Sequence, residues 1–134
     1  MANVKHKFKY IKVDQTYRPI LDITLRNGSS TLKYGVLVDS GADFNIFHID
    51  VASLIGLDLS KAQDVPFGGI KDGAQCMGKL GLFEIGIDGI FFDSWAIFSA
   101  DISSNGYAIV GQKGFFDNFK SVQFNYSEKK GYLK

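Results

Sequence analysis

One cysteine (Cys76), two histidines, two prolines and no long apolar run mark what this chain of 134 residues lacks. A single Cys cannot form an intrachain disulfide, so a reducing compartment is the natural expectation. His6, His48 and Cys76 show no metal-ligand spacing, which gives no zinc signature, and no cofactor is expected. Nothing in the sequence brings Cys76 beside a histidine, and a lone Cys reads more simply as a small buried residue. No segment is long and apolar enough to cross a bilayer, and Met1–Lys7 lacks the apolar centre of a secretion signal. The expectation is therefore a cytoplasmic protein with no membrane partner, in which the Asn-x-Ser triplets at Asn27 and Asn125 are incidental. Net charge is +1, too small to imply a general attraction to nucleic acid or to an anionic membrane.

The length suits a single domain over residues 1–134 with a real core, and 46% apolar content argues against disorder. Twelve Phe, six Tyr and 15 Gly favour a mostly β fold with tight turns. Lys5, Lys7 and Lys9 alternate with His6, Phe8 and Tyr10, as in a strand whose lysines protect an exposed edge, with a phosphate-binding stripe as the alternative. Leu21, Ile23 and Leu25 alternate with polar residues; Asn27–Ser30 reads as a hairpin turn, and residues 31–38 as the return strand. Phe44, Ile46 and Phe47 resume a strand. Asp50 is placed to cap a short helix with Val51, Leu54 and Ile55 on one face and Gly56 at its end. Val65–Phe67 and Met77–Ile85 flank a glycine-rich stretch and suit a long hairpin. Two strands fill residues 80–99 around Asp88-Gly89, and Tyr107–Gly111 is a buried strand. Residues 112–119 suit a short helix burying Phe115, Phe116 and Phe119, and residues 121–134 a last hairpin. The count is about eight strands.

The most informative stretch is Val36-Leu37-Val38-Asp39-Ser40-Gly41-Ala42. An apolar strand that delivers a carboxylate onto a tight glycine-bearing loop can hold it rigidly at the edge of a cleft, as hydrolysis by paired carboxylates requires. Asp-Ser-Gly is also ordinary turn chemistry, so its surroundings decide. A glycine-rich hairpin follows at Gly68-Gly69-Ile70-Lys71-Asp72-Gly73, and an apolar strand ending in glycine at Ala108-Ile109-Val110-Gly111. In this order and spacing the motifs resemble the retropepsin-like aspartic proteases, the family of retroviral proteases and their cellular relatives. Gly111–Asp117 is similar to bacterial single-lobe members. The resemblance covers residues 19–126.

The resemblance implies a small, closed, barrel-like β lobe with a flap hairpin and one or two short helices. It implies an aspartic endopeptidase with Asp39 as the catalytic side chain. Ser40, Gly41, Ala42 and Asp43 would support the loop, and Gly68–Gly73 would form a flap over an extended polypeptide substrate. Ile109, Val110, Gly111 and Gln112 would be the second motif. The chain has no second Asp-[Ser/Thr]-Gly, so the partner aspartate would come from a homodimer.

Three departures bear on this reading. Gln112 stands where many members carry an Arg that pairs with the acid at the position of Asp43, which would leave a hydrogen bond in place of a charge pair. The terminal hairpin differs from the short interleaving strands of retroviral dimers. The flap tip, with Lys71 and Asp72, is polar. A catalytically inactive lobe that binds peptide strands or mediates assembly is the alternative. An unrelated small barrel binding a ligand or single-stranded nucleic acid would need its aromatics exposed on one face, whereas most fall at alternating strand positions.

Overall fold

A computed structural model of the chain describes residues 6–71 and 74–134. The chain opens with strands β1 (His6–Val13), β2 (Thr16–Asn27), β3 (Ser30–Val38) and β4 (Ile46–His48), followed by helix α1 (Ile49–Leu54). Strands β5 (Asp64–Lys71), β6 (Ala74–Ile87), β7 (Ile90–Ser99) and β8 (Ala108–Val110) follow. A single 3-10 turn (Phe116–Asn118) leads to β9 (Val122–Asn125) and β10 (Lys130–Leu133).

Tight turns set the first registers. Asn27 faces Ser30 across Gly28-Ser29, and Ile87 faces Ile90 across Asp88-Gly89. Both residues of the second turn have positive φ, 52° and 78°, which matches the twist of an antiparallel hairpin. Asp14-Gln15 makes the same kind of turn between β1 and β2 without any glycine, at φ 49° and 67°.

All ten strands join one sheet in the order β5-β6-β7-β4-β8-β3-β2-β1-β10-β9. An additional pairing of β2 with β6 closes the middle of that sheet into a ring. The lobe is thus mostly β and closed, but it is not a regular barrel: the β3–β8 and β4–β7 pairs are parallel, whereas the others are antiparallel. Arg26 on β2 and Glu84 on β6 sit opposite each other at the closure and make two hydrogen bonds of 3.0 and 2.9 Å. The ring encloses Leu25, Val36, Phe47, Ile85 and Phe98, all fully buried. Phe47, Phe83 and Phe98 pack against one another, edge-on or tilted, with centroids 5.7–5.9 Å apart. Burying such side chains stabilises by about 1.5–3 kcal/mol each.

Three local expectations are corrected. Strand β1 is not an edge: it lies between β2 and β10, so its lysines guard no free edge. Helix α1 is capped by His48, whose Nδ1 accepts from the Asp50 N–H, and not by Asp50. Its buried face is Val51, Ala52 and Ile55, while Leu54 is 65% exposed, because a helix this short turns only one side toward the sheet. Within residues 112–119 the expected short helix is limited to the single 3-10 turn Phe116–Asn118. Phe115 and Phe119 are buried there and Phe116 is half-buried.

Candidate active site

Asp39 follows the last residue of β3. That strand pairs in parallel with β8, with Leu37 beside Ile109 and Val38 beside Val110. The pairing continues one step further, since the Asp39 N–H donates to the Val110 carbonyl at 3.0 Å. The two apolar segments noted in the sequence are therefore neighbouring strands, and both end at the same point.

Beyond that point the chain turns sharply. The Ala42 N–H donates to the Asp39 carbonyl at 3.2 Å, and the Gly41 N–H donates to Asp39 Oδ1 at 2.9 Å. One carboxylate oxygen is thus fixed by its own loop. Asp39 is half-buried, whereas Ser40 and Gly41 are exposed.

The second motif underpins this loop. The Gln112 N–H donates to the Ala42 carbonyl and the Lys113 N–H to the Asp43 carbonyl, each at 2.9 Å. A Cβ on Gly111 would lie 2.5 Å from the Ala42 oxygen and 2.9 Å from that of Phe44, so the close approach requires glycine. Gln112 Nε2 donates to the Ser40 carbonyl at 2.7 Å. The expected hydrogen bond from Gln112 to the Asp43 side chain is not formed. A neutral amide is not drawn to a carboxylate as a guanidinium is, and Gln112 instead takes the Ser40 carbonyl. The Asp43 residue is exposed.

Sequence reasoning missed Asn45. This side chain is fully buried; its Oδ1 accepts from the Gly111 N–H at 3.0 Å. Its Nδ2 donates to the Trp95 carbonyl at 2.9 Å and to Ser94 Oγ at 3.1 Å. Ser94 Oγ in turn donates to the Gly114 carbonyl at 2.5 Å. One amide therefore joins the loop after Asp39, the second motif and β7. The available signal was a lone polar residue in the apolar run Phe44-Asn45-Ile46-Phe47.

Strands β5 and β6 form the expected hairpin, with Val65 opposite Gly78 and Phe67 opposite Cys76. The register shifts between Phe67 and Ile70, a bulge at Gly68-Gly69 in which Gly68 has φ +68°. Backbone pairing resumes at Ile70 and Lys71, opposite Gln75 and Ala74. Asp72 and Gly73, expected at the tip, lie outside the described residues. The stem is anchored from β7 and the loop after it: the Met77 N–H donates to Asp101 Oδ2 at 2.9 Å, and Ser99 Oγ donates to the Met77 carbonyl at 2.5 Å. A groove of about 350 Å³ lies against the hairpin stem, lined by Phe44, Val65, Pro66, Leu82, Trp95 and Ile97. Phe44 belongs to the segment that leaves the Asp39 loop. The described residues contain no cluster of three potential metal ligands.

A carboxylate on a rigid loop, a second strand end beneath it and a bulged hairpin define a retropepsin-like fold. The lobe is similar to a crystal structure of a retropepsin-like aspartic protease from Rickettsia conorii, with a TM-score of 0.72. The alignment covers 97% of this chain and 89% of that one at 14% sequence identity, a likeness of fold. No protein-family model and no curated protein matches the sequence.

Proposed function

We propose that this chain is one half of an aspartic endopeptidase, with Asp39 as its catalytic side chain and the second aspartate supplied by another copy. The observation that carries this reading is the Asp39 loop itself. Its carboxylate is held by the Gly41 N–H, and its backbone is bound to the β8 strand end by the bonds of Asp39, Ala42 and Asp43 to residues 110–113.

Two carboxylates brought together across a two-fold axis cannot both ionise cheaply and share one proton. The ionised one accepts a proton from a water that attacks the peptide carbonyl, and the protonated one donates to the carbonyl oxygen. The titration belongs to the pair, so a single chain has no acid–base couple of its own. An extended polypeptide would lie between the loop and the β5–β6 hairpin, which would close over it and exclude water. The groove at Phe44, Pro66 and Trp95 would take an apolar side chain of that polypeptide.

The test is cleavage of a random peptide pool by wild type and Asp39→Asn across mildly acidic to neutral pH, with sedimentation to follow the dimer. The expected outcome is cleavage by wild type, strongest on the acid side of neutral, and none by a folded Asp39→Asn. Peptide binding without cleavage by dimeric wild type would assign the lobe to the non-catalytic alternative. Equal rates in the two proteins would remove Asp39 from the chemistry.

A further inference from the structure

The net charge of +1 conceals a strong segregation. Residues 1–38 and 118–134 hold 11 of the 15 Lys and Arg but only three of the 14 Asp and Glu. The intervening residues 39–117 hold four Lys and 11 acids. Folding concentrates the basic part further, because β1 pairs with both β2 and β10. Lys9 lies directly opposite Lys130, Lys7 opposite Tyr132, and Arg18 opposite Ile11, so the odd-numbered lysines of β1 share one outward face with Lys130 and Arg18. Lys7, Lys9, Arg18 and Lys130 are all exposed, and among the described residues none of them is in an ion pair. Like charges directly opposite each other on adjacent strands are destabilising. Edge protection does not account for them, since β1 is an interior strand.

We propose that this face docks on an anionic lipid surface. The cations spread in two dimensions, over three adjacent strands about 4.8 Å apart and along β1 at about 6.6 Å per pair of residues. Such an array meets a plane of negative headgroups with every cation at once, each contributing through the surface potential. A nucleic acid backbone presents its phosphates along a line and would engage fewer of them. Binding of single strands also uses free aromatic rings, and Tyr132, the aromatic residue between these cations, lies under the Lys7 ammonium at 6.0 Å. Ile11, 45% exposed on the same face, adds an apolar side chain at the contact. This inference is independent of the proteolytic reading.

The experiment is co-sedimentation of the full chain with phosphatidylcholine vesicles, with and without about 30% phosphatidylglycerol, at roughly 0.1 M salt. Binding is expected only to the anionic vesicles and is expected to weaken as salt rises. Lys9→Glu/Lys130→Glu keeps a like-charged pair across the strands, so the fold should tolerate it; its affinity should fall by about tenfold or more. Lys9→Gln/Lys130→Gln should fall less, and serves if the reversal does not fold. Lys33→Glu/Lys61→Glu, with the same change in net charge elsewhere, should bind as wild type does. Equal sedimentation with neutral vesicles, no sedimentation at all, or unchanged affinity in both Lys9/Lys130 variants would overturn the proposal. So would tighter binding of single-stranded or duplex oligonucleotides than of anionic vesicles, which would assign the face to nucleic acid.

Discussion

At the residue scale, the candidate site depends on side chains that never touch a substrate. Asn45 makes four hydrogen bonds, to Gly111, Ser94, Trp95 and Ile97, from a fully buried position. Truncation to alanine leaves the Gly111 N–H and the Trp95 carbonyl without their side-chain partner, and each unsatisfied buried group costs about 1–3 kcal/mol. Asn45→Ala is therefore expected to lower stability by about 2–6 kcal/mol, read from urea unfolding midpoints. A loss under about 0.5 kcal/mol would mean that water replaces the amide at no cost. The Asp39 turn was legible from residue types alone, because Asp and Gly make such turns by local bonding. Asn45 was not, since its partners are 49, 50 and 66 residues away in sequence.

At the element scale, the β5–β6 hairpin is held by contacts at its stem. It lies at one end of the strand order, and its stem is tied down through Ser99 and Asp101. Asp101→Ala removes the acceptor of the Met77 N–H. Hydrogen exchange at the Met77 amide is expected to quicken about tenfold or more, while the Phe83 amide, paired with β7 further along the same strand, keeps its rate. Equal acceleration at both positions would indicate loosening of the whole strand rather than of the hairpin stem. Strand alternation and turn residues marked the hairpins well, because registers such as Leu25 with Leu32 follow from a two-residue turn. They placed the cap of α1 wrongly. Asp50 has the better capping side chain in general, but the helix begins at Ile49, two residues before the start that an Asp50 cap implies, and the capping position falls on His48.

At the scale of the whole molecule, ring closure has its own pH dependence. The hydrogen bonds from Arg26, and then its charge, hold the Glu84 carboxyl below the usual carboxylate range. A carboxyl with a lowered folded-state pKa stabilises the fold above its unfolded value, about 4.3, and loses that contribution as pH falls through the folded value. Glu84→Gln should therefore be less stable than wild type near neutrality, and the gap in Tm should narrow as the solution is acidified below about pH 4. A gap independent of pH would show that shape, and not charge, matters at the β2–β6 closure.

By itself the sequence determined the short strands, their turns and the three motifs, because these depend on neighbours within a few residues. Their order along the chain was enough to suggest a retropepsin-like lobe. Only the tertiary structure decided that β3 and β8 end side by side, that Gln112 holds the Ser40 carbonyl, and that β1 lies inside the sheet with Lys9 facing Lys130 of β10. Each of these depends on strand order in space. Strand order is set by which apolar faces can be buried together, and local periodicity carries no record of it.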